Sequence, residues 1–246
     1  MKKLFVFMVC SVLVLALISL GVKLGVENLL PVDENPIDVE NIDVQKKIDV
    51  PLICQYPELP TGCESVAATM VLQYYGTDVT SEEFAGSWLD CDENFYYSGD
   101  DLYGPDPDEV FAGNPFTYSS YGCFASPIVN AVNNNSTNCK AYKITDRSVK
   151  ELCDEFIDNN TPVLIWATMN MSAPEEGNSW YLEDGSSFTW SSGEHCLVLV
   201  GYSDDCYILN DPMTGNTVAY KKRTIEKRFA EMGRQAVYIQ KEQIES

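Results

Sequence analysis

The sequence predicts an α+β fold in which an N-terminal helical part packs against an antiparallel sheet. Helix-start signals and helix-type apolar spacing dominate residues 59 to 157, whereas most strand-like apolar runs lie after residue 160. Two of those runs are separated by only the three residues SDD, which suits a hairpin and is too short for a crossover helix. The second half should therefore be antiparallel rather than a regular βαβ alternation.

The first helix has the clearest signals. The segment TGCE has the form of a capping box, in which Thr61 and Glu64 would each bind the other's backbone amide. This helix should run from Gly62 to Tyr75, stop at Gly76 and bury one apolar stripe. Further helices are predicted from TSEEF at residues 80–84, from Ser126 as a cap before Pro127, from Ser148 with Glu151, and over residues 224–232.

Four strands are predicted in the second half, at residues 162–169, 195–202, 206–210 and 235–240. The second and third should form the hairpin. Residues 90–125 lack periodicity and are rich in Tyr, Phe, Asp, Gly and Pro. Long segments of this kind in compact domains are usually functional or disordered, and the aromatic content favours an ordered binding surface here.

The N-terminus predicts a targeting segment. Residues 1–25 contain an uncharged apolar run long enough to span a bilayer, without a cleavage site after it, which favours a signal anchor over a signal peptide. Lys2 and Lys3 would hold that end inside, so the remainder is expected at the cell membrane and outside the cytoplasm, with the membrane as a partner. Residues 26–47 are acidic and proline-punctuated and are expected to form a stalk before a monomeric domain at 48–246.

Composition limits the remaining partners. The 246 residues are enough for one sizeable core, and a net charge of −21 makes nucleic acid an unexpected partner. The acidic cluster of Asp100, Asp101, Asp106, Asp108 and Glu109 lacks the regular spacing of a calcium loop. No Cys-x-x-Cys or Cys/His pairing predicts zinc, so no metal and no cofactor are expected.

Four residues carry the candidate chemistry. Cys63 falls on the first turn of the first helix, where exposed amides and the helix dipole favour a thiolate. His195, the single histidine of the chain, follows it by 132 residues, close to the spacing in papain-like chains. Asp211 ends the strand after the hairpin and would orient the imidazole, with Asn210 as its rival. Gln55 carries an amide donor that suits an oxyanion hole.

Each of these residues also has an ordinary structural interpretation. The cysteine could be a buried or disulfide-bonded residue, the histidine a core residue, the aspartate a turn residue and the glutamine a surface amide. Apart from Cys10 and Cys63, seven cysteines remain, and at least three of them are expected to stay free. Cys196 and Cys206 are not expected to face each other across the hairpin.

Two segments together resemble a known family. VPLICQYPELPTGCESVAATMVLQYYG and EHCLVLVGYSDDCYILNDPMTG are similar to the papain-like cysteine peptidases of family thirty-nine, relatives of the bacteriocin-processing peptidases that cut after double-glycine leaders. The similarity is strongest to the stand-alone, membrane-anchored branch and covers about residues 48–240. The motif is GCE here, where the exporter-attached peptidases have DCG, so double-glycine specificity is not expected to carry over.

The resemblance implies a papain-like fold and assigns roles. Cys63 would be the nucleophile, His195 the general base and acid, Asp211 the orienting residue and Gln55 the oxyanion donor. The predicted function is hydrolysis of peptide bonds in a peptide or protein substrate through a Cys63 thioester, outside the cytoplasm. Two alternatives stay open: another acyl transfer, as in a cell-wall amidase or a transglutaminase, and a non-catalytic surface module that binds a partner.

Overall fold

The structure, a computed structural model, describes residues 32–242. In chain order the strands of that range are β1 (Val44–Lys47), β2 (Cys91–Asp92), β3 (Tyr96–Ser98), β4 (Asp101–Tyr103), β5 (Phe111–Ala112), β6 (Cys139–Ile144), β7 (Val163–Thr168), β8 (Glu175–Tyr181), β9 (Ser187–Ser192), β10 (Glu194–Ser203), β11 (Cys206–Asp211), β12 (Asn216–Lys221) and β13 (Ala236–Lys241). The helices are α1 (Cys63–Tyr74), α2 (Ser81–Glu83), α3 (Ala125–Asn135), α4 (Val149–Leu152) and α5 (Lys222–Glu231).

Seven of these strands form one antiparallel sheet in the described part of the chain. Its order is β12, β11, β10, β7, β13, β6, and β1 pairs with the far end of β10. Helix α1 packs against β10, and α3 packs against β6. Helices therefore precede and cover a mostly C-terminal antiparallel sheet, and the predicted α+β class is confirmed.

Helix α1 is buried more completely than its apolar stripe predicts. Ten of its twelve residues are buried, because β10 and β7 lie against it together with α2 and α3. Its end at residue 74 is followed by Gly76, whose φ of 83° allows the left-handed turn that ends the helix. This burial fixes the position of the first turn, because neighbouring elements pack around nearly the whole helix.

Most of the predicted elements are confirmed. All four predicted strands are present, and β10 and β11 form the expected hairpin, with Tyr202 opposite Tyr207. Thr80 caps α2, and the Ser148 capping box forms as predicted. The predicted cap at Ser126 is wrong, because α3 begins two residues earlier than that cap implies, and the amide of Ala125 donates to the Gln235 side chain.

Two small sheets lie beside the large one in the described range. Strands β3, β4, β8 and β9 form one, and β2 with β5 forms the other. Aromatic rings hold this part together: Phe95, Tyr121 and Trp180 lie within 5.3 Å of each other, measured between ring centroids. Residues 90–125 are thus ordered as predicted, while their predicted binding role stays a prediction.

The second half of the predicted stalk lies on the domain. Ile37 forms a β-bridge with Ala219, and residues 44–47 are strand β1 of the large sheet. The buried guanidinium of Arg228 holds the carboxylate of Glu34 at 2.5 Å. Residues from 34 onward belong to the same compact unit as the sheet, because their apolar side chains and backbone groups find partners there.

The prediction of a transmembrane helix is corrected. Among residues 32–242, no helix has the length and apolar character needed to cross a bilayer. The segment predicted as a signal anchor, residues 1–25, lies outside the described residues. The predicted membrane partner depended on such a helix and is corrected by the same finding.

Replacing Gly201 by alanine is expected to cost about 1–3 kcal/mol of unfolding free energy. A Cβ at this position would lie 2.3 Å from the carbonyl oxygen of Lys46, so β1 would have to move away from β10. The matched control is Gly86→Ala, where the nearest atom, on Phe116, lies 3.5 Å away. Urea unfolding checks both variants, and equal stabilities would contradict the close pairing of β1.

Candidate active site

The first turn of α1 differs from the predicted capping box. Gly62 is the N-cap residue and contributes no side-chain hydrogen bond. Thr61 donates its hydroxyl to the carbonyl of Thr117 at 3.0 Å, and Glu64 accepts from the amide of Cys123 at 2.7 Å. The predicted capping box is therefore wrong, because the side chains of Thr61 and Glu64 form hydrogen bonds with the backbone of the loop over residues 114–123 instead.

His195 and Asp211 form a buried pair at the start of β10 and the end of β11. Nε2 of His195 lies 2.7 Å from Oδ1 of Asp211, and Nδ1 has no hydrogen-bond partner among residues 32–242. Burial alone would raise the pKa of the Asp211 carboxyl, but the hydrogen bond and charge of His195, with the amide of Met213, hold it below its usual value. A carboxylate bonded to Nε2 fixes the tautomer that leaves Nδ1 as an acceptor.

Asn210, the rival orienting residue, points elsewhere. Its side-chain amide donates to the carbonyl of Val50 at 3.2 Å and accepts from the hydroxyl of Thr217 at 2.8 Å. Successive residues of a strand alternate between its two faces, so only one of Asn210 and Asp211 can reach the His195 side. In this structure that residue is Asp211.

Gln55 is buried next to the segment that follows Asp211. Its backbone amide donates to the carbonyl of Pro212 at 2.8 Å, and its side-chain Nε2 donates to the carbonyl of Pro60 at 2.9 Å. Only one of the two Nε2 hydrogens is used in that bond, and Oε1 has no partner. Gln55 is thus tethered between the segment before α1 and the turn after β11.

The sulfur of Cys63 contacts the start of β10. The amide of Cys196, the residue after His195, donates to Sγ at 3.5 Å, and the thiol donates to Oε2 of Glu64 at 3.3 Å. Burial first, and then the carboxyls of Glu64 and Glu194, raise the pKa of this thiol well above its usual value. The helix start was expected to favour a thiolate, but burial beside acidic groups outweighs the helix dipole here.

Two glutamates that the sequence prediction left without a functional role complete the site. Glu64 and Glu194 are both buried, and each offers an oxygen within 4.8 Å of the other and of Cys63 Sγ. Burial raises the pKa of Glu64 to about 7, and burial together with Glu64 raises that of Glu194 well above its usual value. One signal was available: Glu194 opens an otherwise apolar strand directly before the single histidine.

Gly122 makes room for these two carboxyls. A Cβ at this position would lie 2.5 Å from Oε1 of Glu64 and 3.2 Å from Oε2 of Glu194. The loop that supplies the Cys123 amide therefore passes close to both acids. Any side chain at residue 122 would push the loop or the carboxyls out of place.

The cysteines of the described residues are all free. They are Cys54, Cys63, Cys91, Cys123, Cys139, Cys153, Cys196 and Cys206. The prediction that at least three of the seven other cysteines stay free is confirmed. A thiol at the site is thus not consumed by a disulfide within residues 32–242.

Comparison with known proteins identifies the family. A model of the peptidase C39-like family matches residues 47–237. The chain belongs to this family. The predicted family resemblance is thereby confirmed at the level of the C39-like domain, and nothing assigns the chain to a stand-alone, membrane-anchored branch.

Two relatives of this C39-like chain support the assignment. Uncharacterized protein YvpB of Bacillus subtilis (strain 168) is 31% identical over 199 residues, which are 80% of this chain and 76% of YvpB. A crystal structure described as a C39-like peptidase from Bacillus anthracis matches with a TM-score of 0.70 and 28% identity, covering 81% of this chain and 100% of that one. Family and fold together suggest a cysteine peptidase.

Proposed function

We propose that this C39-like protein hydrolyses peptide bonds in a peptide or protein substrate with Cys63 as its nucleophile. The observation that carries the proposal is the buried bond of 2.7 Å between His195 and Asp211, which leaves Nδ1 of the imidazole without a partner. The next residue along β10, Cys196, donates its amide to Cys63 Sγ. A thiol, an imidazole and an orienting carboxylate are the three parts of an activated cysteine nucleophile.

The proposed reaction begins when Nδ1 of His195 takes the thiol proton of Cys63. The thiolate attacks the substrate carbonyl carbon, and the charge that forms on oxygen is stabilised by the amide of Cys63 and the second Nε2 hydrogen of Gln55. The imidazolium then gives its proton to the leaving amine, which breaks the peptide bond and leaves a thioester on Cys63. Water, deprotonated by His195, hydrolyses that thioester. Asp211 stabilises the imidazolium in both steps.

Exposed aromatic side chains beside the site support a substrate that is held along the surface. Tyr56 directly follows Gln55 and is 41% exposed, and partial burial together with Tyr118, Cys63, Cys54 and Asp211 raises its pKa. Tyr118 is 78% exposed. Large exposed rings next to a buried nucleophile suit the binding of substrate side chains. Work outside the cytoplasm remains part of the proposal, and its support is the sequence pattern of a targeting segment in residues 1–25.

A peptide-based probe with a thiol-reactive group, which occupies the substrate position before it reacts, tests the proposed function. We expect labelling of the native protein at Cys63, and loss of both labelling and peptide cleavage in Cys63→Ala and His195→Ala. Cys54→Ala is the matched control, because Cys54 is an exposed free cysteine. Equal labelling of Cys63 in the His195 variant would contradict the proposal. Products from peptides and from peptidoglycan fragments then distinguish a peptidase from a cell-wall amidase.

A further inference from the structure

The buried acids beside Cys63 lack an ordinary structural explanation. Neither Glu64 nor Glu194 forms an ion pair with lysine or arginine in the described part of the chain. Burying a carboxyl costs free energy unless it is paired or hydrogen-bonded. Glu64 accepts from the Cys123 amide, but Oε1 of Glu194, a residue only 4% exposed, has no hydrogen-bond partner within the described range. The pair is therefore maintained at a cost to folding.

The thiol of Cys63 is oriented toward these acids. It donates to Oε2 of Glu64 at 3.3 Å, while Nδ1 of His195 accepts no hydrogen bond. Two carboxyls this close in a buried site do not both ionise, so the pair retains at least one proton. A negative charge on either carboxyl opposes loss of the thiol proton, and the hydrogen bond directs the thiol to Glu64 rather than to the imidazole.

We propose that Glu64 and Glu194 are positioning residues that hold Cys63 as a protonated thiol in a resting arrangement. From this arrangement the side chain of Cys63 must turn from Glu64 to Nδ1 of His195 before the thiol can lose its proton. The effect of the acids on the thiol is independent of any peptidase activity. Its consequence for catalysis, a nucleophile that is inactive until it turns, rests on the proposed function.

Glu64→Gln tests the proposal with little change in shape. Oε1 of the glutamine can still accept from the Cys123 amide, while its Nε2 donates toward the sulfur and favours the thiolate. We expect iodoacetamide to modify Cys63 at least about 10-fold faster at pH 7 than in the wild type, with the midpoint of the pH–rate curve shifted to lower pH. Mass spectrometry of the Cys63 peptide separates this site from the other free cysteines. EDTA in every sample removes any metal bound among the three side chains.

The matched control is Glu58→Gln, which removes the same charge from an exposed position near Gln55. It should leave the Cys63 midpoint unchanged. An unchanged midpoint in Glu64→Gln would overturn the proposal. Alkylation needs no substrate turnover, so a failure of the proposed peptidase activity would leave this test intact.

A measurement on the wild type guards against a Glu64 variant that does not fold. The infrared difference spectrum between wild type and Cys63→Ala should contain an S–H stretching band at pH 7, shifted by the hydrogen bond to a carboxylate. A thiolate has no such band. Its absence at pH 7 would show that Cys63 is already ionised and would overturn the proposal.

Discussion

Replacing Asp211 by asparagine is expected to lower kcat/KM for a cleaved peptide by at least about 10²-fold, with most of the loss in kcat. Oδ1 of Asp211 accepts from both Nε2 of His195 and the amide of Met213, and an asparagine oxygen can accept the same two bonds. The substitution therefore removes the negative charge and leaves the geometry almost intact. Without that charge the imidazolium is less stable, and His195 becomes a poorer base for Cys63.

Asn210→Ala is the matched control for Asp211→Asn. It alters the neighbouring residue of the same strand, whose contacts are with Val50 and Thr217 rather than with His195. Kinetics with a fixed peptide, at equal folded fraction by circular dichroism, compare the two variants. A loss of similar size in both would indicate general damage to β11. Full activity in Asp211→Asn would exclude an orienting role for Asp211.

The unfolding free energy of the wild type is expected to fall between pH 5 and pH 8, relative to the double variant Glu64→Gln/Glu194→Gln, by on the order of 3 kcal/mol. Burial raises the pKa of Glu64 from 4.5 to about 7, and burial together with Glu64 raises the pKa of Glu194 as well. Between pH 4.5 and about pH 7, the folded protein keeps a proton on Glu64 that the unfolded chain has already lost. The stability that these two carboxyls contribute is therefore fully present below their pKa in the unfolded chain. It decreases as the pH rises through their pKa in the folded protein.

The comparison must cancel the stability contributions of the other groups that face Glu64, apart from Glu194. The groups that face it are the Cys63 thiol, the Cys123 amide, the Glu194 carboxyl and the charge of His195. The wild type and the double variant share the thiol, the amide and the histidine, and they differ only in the two carboxyls. Subtracting the two urea-unfolding series therefore isolates the contribution of Glu64 and Glu194 to stability. Asp211 has a lowered pKa and loses its contribution only in more acidic solution. Parallel pH curves for the two proteins would mean that the acids are ionised freely in the folded state.

Strongly patterned segments of the fold were predictable. The apolar spacing of α1 and the three-residue turn between β10 and β11 depend on neighbours in sequence, so both elements were predicted close to their observed bounds. Strands β3 and β4 were missed because each has only three residues, and β8 and β9 because few of their residues are buried. Their sheet depends on the packing of distant aromatic residues such as Phe95 and Trp180. Such packing has no local periodic signal.

Some contacts of the candidate residues follow the prediction, whereas the electrostatics around Cys63 could not be predicted. The sequence suggested Cys63, His195, Asp211 and Gln55, and the structure bonds His195 to Asp211 and tethers Gln55 to Pro212. The state of the thiol was not predictable, because it depends on where two acids point after folding. Glu64 follows Cys63 in sequence and suited a capping box, yet its carboxyl accepts from the amide of Cys123, 59 residues away.

The pairing of His195 with Asp211 has a practical consequence for spectroscopy. Because the chain has a single histidine, its nitrogen-15 NMR spectrum contains one imidazole pair, and those two signals need no assignment. The bond from Nε2 to Asp211 predicts the Nε2–H tautomer, which differs from the other tautomer and from imidazolium in both nitrogen shifts. One spectrum of the intact protein therefore reports on the proton at the centre of the site, before any substrate is known.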